Sequence, residues 1–251
     1  MGAGAARGLA HLGVLKVLKD ENIPIHMIAG SSIGSIMGAF YAMDSDIDML
    51  IGLASQLKKS HFIDLRVSKM GLSKGQKIHA LIKLLTKGMR FEDLNIPLYV
   101  VAVDIKRGEK VVFDSGSLSD AVRASISIPG MIEPYAVDDR LYIDGAVLDR
   151  IPVELLHDKG ADQVIAVDVK LAKEAIEEVE IKNIADVVFR SMDLMEREIA
   201  RHCILKADVV INPKVGHIGS LDYDRAEECI DLGLEATKER LPSIKKALGL
   251  G

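Results

Sequence analysis

Short apolar runs rich in Val and Ile alternate along this chain with stretches whose apolar residues recur at helical spacing. That alternation restricts the fold more than any other feature. Leu9, Leu12, Leu15 and Leu18 return every third residue up to Asp20, and Asn22 to Pro24 interrupts them, which predicts a helix over 9–21. Runs at 25–29, 98–103, 141–143, 164–169 and 209–211 have the unbroken aliphatic character of strands buried on both faces. Helical patterns at 35–43, 78–85, 118–124, 153–157, 184–205 and 226–241 lie between them. The expected class is therefore α/β, a mostly parallel sheet with helices on both faces. Residues 100–103 and 110–113, joined by Lys106 to Glu109, predict a β-hairpin at the sheet's edge. The segment 45–90 offers no convincing strand and several Met, Lys and Gly residues, and reads as a helical cap adaptable enough for an apolar substrate.

Composition narrows the function classes. With 251 residues, 49% of them hydrophobic, and no Pro/Gly/Ser-rich linker, the chain reads as one globular domain over 1–251. Lys+Arg number 32 against 37 Asp+Glu, without a basic block, and there is no Trp, which argues against nucleic acid as a partner. Cys203 and Cys229 cannot build a disulfide framework and sit in no zinc-ligand spacing, so a reducing, cytoplasmic setting is expected. The start carries no secretory pattern, Ala6 stands where a myristoylation signal wants Ser or Thr, and no run is long enough to span a bilayer. Membrane contact is expected to be peripheral, and a homo-oligomer stays open.

The chemistry concentrates in three places. Gly30-Ser31-Ser32-Ile33-Gly34 fits G-x-S-x-G between a predicted strand and a predicted helix, the context in which that pattern lifts a serine nucleophile out of a sheet. Both glycines remove Cβ atoms where the strand and helix backbones crowd, and the helix start offers free N–H groups to a developing oxyanion. Gly2-Ala3-Gly4-Ala5-Ala6-Arg7-Gly8 is a small-residue loop opening the first helix, whose N–H groups suit an anion. It lacks the acidic ribose ligand or Walker lysine of a nucleotide loop. Leu141-Tyr142-Ile143-Asp144-Gly145-Ala146 ends a strand on Asp-Gly and puts a carboxylate at the sheet edge where ligands bind in open α/β folds. A carboxylate beside a hydroxyl can take its proton directly, and burial raises its pKa toward a useful range. An Asp-Gly turn is the plainer reading of the same dipeptide. A Ser-His-Asp triad competes, but Ser32 comes early for that order, and of seven histidines only His217, in a glycine-flanked loop, stands late enough outside a predicted helix.

In this order and spacing the three elements resemble the patatin-like phospholipase family, over nearly the whole chain. Gly71-Leu72-Ser73-Lys74-Gly75, Phe91-Glu92-Asp93-Leu94 and Ala124-Ser125-Ile126-Ser127-Ile128-Pro129-Gly130 match as well. The resemblance implies a three-layer α/β/α fold and a Ser32/Asp144 dyad that hydrolyses carboxylic esters of lipids, phospholipids or lysophospholipids, through an acyl-enzyme without metal or organic cofactor. Gly30 and Gly34 would form the nucleophile elbow and Gly145 and Ala146 would complete the Asp-Gly-Ala motif. N–H groups around Gly4, Ala5 and Ala6 would hold the oxyanion, with Arg7 supplying charge or support. In the family a first β-strand precedes the glycine loop, whereas here only Met1 precedes Gly2, so the first strand is expected to be missing. Ala3 and Ala5 also replace frequent glycines. Two alternatives follow: acyl transfer to another alcohol or thiol, and a lipid-binding regulatory protein that lost turnover with the strand.

Overall fold

A computed structural model of the protein describes residues 1–56, 70–170 and 181–250. A 3-10 turn at Ala5–Leu9 leads into α1 (Ala10–Asp20), followed by β1 (Ile28–Ser31), α2 (Ile33–Ala42) and α3 (Ile47–Ala54), the last capped by the Asp46 carboxylate on the Met49 N–H. Next come β2 (Gly71–Ser73), α4 (Gln76–Leu85), β3 (Leu98–Asp104), β4 (Glu109–Phe113) and α5 (Leu118–Ser125). The chain continues through β5 (Gly130–Ile132), β6 (Tyr135–Val137), β7 (Arg140–Asp144), α6 (Val153–Asp158), β8 (Ile165–Val167), α7 (Ile184–Ile204), β9 (Val209–Ile211) and α8 (Ala226–Ala247).

Strand β3 organises the sheet. One of its edges carries β4, antiparallel, which is the hairpin expected from 100–113. Its other edge is shared: β1 runs parallel along the first half, with Ser31 opposite Val101, and β7 runs antiparallel along the second half, with Asp144 opposite Ala102. The carboxyl ends of β1 and β7 therefore meet head to head on neighbouring residues of β3. Beyond β7 lies β6, and β8 pairs β9 in parallel on the far side of β1.

Successive residues of each strand enter different clusters, as the period-2 geometry of strands requires. Ile28, Leu98, Val100, Val167 and Ile211 pack with Leu12, Met37 and Ile230 from α1, α2 and α8. On the opposite face Ala29 and Val101 meet Leu155 of α6, while Ala166 meets Val153 and Ala200 of α6 and α7. Two helical layers thus enclose the sheet, the three-layer α/β/α arrangement that the alternation implied.

Met1 and Gly2 run between β1 and β8. The Met1 ammonium donates to the Ala29 carbonyl at 2.7 Å, the Ser31 N–H reaches the Met1 carbonyl at 3.3 Å, and the Gly2 N–H donates to the Val167 carbonyl at 3.0 Å. Met1 and Gly2 thereby join β1 to β8 at the level of Ser31 and Ser32. Buried His11 holds the stub from below, its Nε2 2.8 Å from the Gly2 carbonyl oxygen. Below Met1 the two strands diverge around a cleft of about 450 Å³ lined by Ile25, Met27, Ala29, Ile165 and Val167. The Met1 ammonium is buried beside it, and desolvation lowers its pKa from 8.0 to about 5.

Several boundaries differ from the sequence reading. The first strand was expected at 25–29 but runs to Ser31, because its ladder partner β3 begins only at Leu98, opposite Ile28. Within 45–90 the helices α3 and α4 are present, and β2, unexpected there, pairs with β5; residues 57–69 lie outside the described residues. Helix α8 continues past Leu241 through Pro242, an exposed position where the carbonyl left without a donor faces water. Cys229 is buried, whereas Cys203 is only half-buried.

Candidate active site

Ser32 occupies the bend between β1 and α2 with φ +54° and ψ −128°. A non-glycine residue is rare there, and the neighbouring glycines explain how the turn closes. A Cβ on Gly30 would lie 2.5 Å from the Gly34 carbonyl oxygen, and one on Gly34 would lie 2.3 Å from the Met1 carbonyl oxygen. Strand, helix and amino terminus can approach this closely only without those side chains. Gly145 obeys the same constraint on the other side, since its Cβ would sit 2.3 Å from the Val101 carbonyl oxygen.

The head-to-head strand ends bring the two functional groups together. Ser32 Oγ donates to Asp144 Oδ2 at 2.6 Å, and the Ala146 N–H donates to Asp144 Oδ1 at 2.9 Å. Both side chains are buried. Desolvation raises the Asp144 pKa from 3.8 to about 7 against the opposing pull of these two hydrogen bonds. Glu196 and Lys170 also act on it; Lys170 Nζ lies 2.5 Å from Glu196 and 3.1 Å from Asp193, both on α7. Among the described residues no imidazole stands between the serine and the carboxylate. His217 bonds Glu228 at 2.7 Å on the exposed surface and His157 bonds the Lys206 carbonyl, so neither takes the place of a third triad member.

The glycine loop divides its N–H groups. Ala6 gives its N–H to the Ser220 carbonyl at 3.1 Å, which removes it from the expected oxyanion donors. Gly4 and Ala5 have N–H groups without a hydrogen-bond partner among the described residues. Ala5 stands at φ +50°, a left-handed conformation that costs an alanine about 1–2 kcal/mol, so the substitution of alanine for glycine is absorbed as backbone strain. The Arg7 guanidinium donates to the Ile218 and Gly216 carbonyls and so supports the loop.

Two partners escaped the sequence reading. The Ser32 N–H donates to Ser125 Oγ at 2.9 Å, and the Ser127 carbonyl accepts the Asp144 N–H at 3.0 Å. The stretch Ala124 to Gly130 resembles the family's pattern, yet nothing local in it says that the end of α5 ties Ser32 to Asp144. Beyond Ser32 the first turn of α2 borders an apolar cavity of about 50 Å³ lined by Leu9, Ile33, Met37, Phe40, Leu53 and Ile82, between α2, α3 and α4. Among the described residues no helix is long and apolar enough to cross a membrane.

Comparison with known proteins identifies relatives of the chain. The patatin-like phospholipase family model matches residues 1–157. An NTE family protein of Mycobacterium tuberculosis is 37% identical over 170 residues, 66% of this chain and 47% of its own length. The lysophospholipase nte1 of Aspergillus fumigatus is 32% identical over 175 residues, 67% of this chain but 12% of its own. This chain thus spans less than half of either relative. The crystal structure of VipD from Legionella pneumophila shares the fold, with a TM-score of 0.66 at 13% identity over 96% of this chain and 66% of that one. On the matched domain and its spacing of motifs, the chain belongs to the patatin-like phospholipase family.

Proposed function

We propose that the protein is a serine acyl hydrolase that cleaves carboxylic esters of phospholipids or lysophospholipids with a Ser32/Asp144 dyad. The observation that carries this reading is the 2.6 Å bond from Ser32 Oγ to a buried carboxylate whose pKa is raised to about 7. A carboxylate of that basicity accepts the hydroxyl proton at neutral pH as Oγ attacks the acyl carbonyl. Protonated Asp144 then gives the proton to the leaving alcohol, and water, activated by the same carboxylate, releases the acid from the acyl-enzyme. The unpartnered N–H groups of Gly4 and Ala5 supply the oxyanion contact, in a site that excludes water and so strengthens it. The apolar cavity beginning at Ile33 suits the aliphatic end of the acyl group.

Labelling with a serine-reactive fluorophosphonate, together with turnover of chromogenic esters of increasing chain length, tests the proposal. Ser32→Ala should abolish labelling, and Asp144→Asn should lower turnover by about 10³-fold or more, as expected for losing a general base on which nucleophile activation depends. Wild-type rates in both folded variants would refute it.

A further inference from the structure

Ser32 and Asp144 are 112 residues apart in the chain, and one short turn bonds to the backbone of both. At the end of α5, Ser125 Oγ accepts the Ser32 N–H at 2.9 Å, and two residues later the Ser127 carbonyl accepts the Asp144 N–H at 3.0 Å. Both serines are fully buried. The bond to Ser125 matters for the bend itself, since φ +54° with ψ −128° is a conformation that a non-glycine residue keeps only where its surroundings over-determine it.

Buried Arg123, one helical turn back on α5, grips this turn. Its Nη1 donates to Ser127 Oγ at 2.6 Å, and Ser127 Oγ donates to the Arg123 carbonyl at 3.0 Å, which closes a ring across the end of the helix. Nη2 donates to the Lys74 carbonyl at 2.9 Å and to the Glu133 carbonyl at 3.0 Å. Those two residues directly follow Ser73 and Ile132, the last paired residues of β2 and β5. The guanidinium therefore joins the end of a two-stranded ladder to the serine turn, a span that suits a planar fork of several donors better than the single ammonium of a lysine. The loop leaves room for it: a Cβ on Gly75, which stands at φ +68°, would lie 2.5 Å from Nη2. The Tyr135 ring lies against the guanidinium, its centroid 5.3 Å from Cζ, while the Tyr135 hydroxyl donates to Asp120 at 2.6 Å.

We propose that Arg123 is a positioning residue of the active site: by locking Ser127 against the end of the β2/β5 ladder it fixes the turn that holds the Ser32 and Asp144 backbones, and so sets the distance over which the hydroxyl proton passes. The inference rests on the function proposed above, because that distance matters only if Ser32 is the nucleophile and Asp144 its base. Arg123 touches neither reacting group and acts through Ser125 and Ser127. Its leverage is geometric, since a misplacement of about 1 Å between reacting groups can cost about 10²-fold in rate.

Ser127→Ala cuts the link between Arg123 and the turn, and Arg123→Met removes the fork itself. With a water-soluble chromogenic ester, at a temperature where circular dichroism shows each variant folded, kcat/KM should fall at least about tenfold in both. In Ser127→Ala the acid limb of the kcat/KM profile should also move to higher pH. The hydrogen bond from Ser32 holds the Asp144 pKa down, and Glu196 and Lys170, the charged groups that act on Asp144, are left untouched. Tyr135→Phe is the control: it breaks the bond to Asp120 in the same network, keeps the ring against Arg123, and should lower the urea midpoint while leaving kcat/KM within about twofold of wild type. The inference is overturned if Ser127→Ala keeps the wild-type kcat/KM, if its acid limb stays in place, or if Tyr135→Phe loses as much activity. Should Arg123→Met fail to fold, Ser127→Ala decides. Fluorophosphonate labelling of Ser32→Ala at the wild-type rate would instead refute the proposed function, a failure distinct from that of Arg123.

Discussion

Replacing Asp144 with Asn separates the energetic cost of the proposed dyad from its use. Burial raises the carboxyl from 3.8 to about 7, so the folded chain holds this proton more tightly than the unfolded one. The stability the group contributes is therefore fully present below about pH 4 and is lost as pH rises through about 7. At about 1.4 kcal/mol for each pH unit, the loss is complete near pH 8 and comes to about 4 kcal/mol. Asn fills the same volume, still accepts from the Ala146 N–H, can donate to Ser32 Oγ and carries no charge to desolvate. Near pH 4.5 the two proteins should unfold within about 1 kcal/mol of each other. At pH 8 the Asn form should be the more stable by about 4 kcal/mol, or about 8–16 °C in unfolding temperature for a chain of this size. Thermal unfolding followed by circular dichroism from pH 4.5 to 8 measures the gap. A gap that stays constant with pH, or an Asp form more stable at pH 8, would refute the claim that an ionised, desolvated carboxylate is held beside the serine.

Two further outcomes can be measured. Ala5→Gly relieves the left-handed strain at φ +50° and should raise the unfolding free energy by about 1 kcal/mol, read as a higher urea midpoint at unchanged slope; a lower midpoint would contradict that account. Arg150 and Asp168 form a fully buried ion pair, so Arg150→Met alone should cost about 3–5 kcal/mol and the double change Arg150→Met, Asp168→Leu should recover most of it; equal losses would show that the pair is not coupled.

Much of the architecture was legible because local patterns carried it. Helices α1, α2, α6 and α7 begin and end within about two residues of where periodicity and capping residues put them. The short strands β2, β5 and β6 were not, since three residues hold too few repeats to announce a period, and only pairing partners far along the chain make them strands. The site divides the same way. Gly30 and Ser32 announce their turn through contacts among neighbours, whereas Gly34 is required by the close approach of Met1, more than thirty residues earlier. The choice among Gly4, Ala5 and Ala6 as donors depends instead on the Ser220 carbonyl, more than two hundred residues away.

From the order of residues alone came the strand-turn-helix that carries a serine at its bend, the Asp-Gly strand end, and the alternation that buries a sheet between helices, because steric and hydrophobic preferences act over a few residues. What the folded chain added was proximity. Ser31 and Asp144 lie opposite adjacent residues of β3, and this shared register converts a separation of 112 residues between Ser32 and Asp144 into a 2.6 Å hydrogen bond. The basicity of Asp144 was decided there too, since removing a carboxylate from water requires every layer that packs around it.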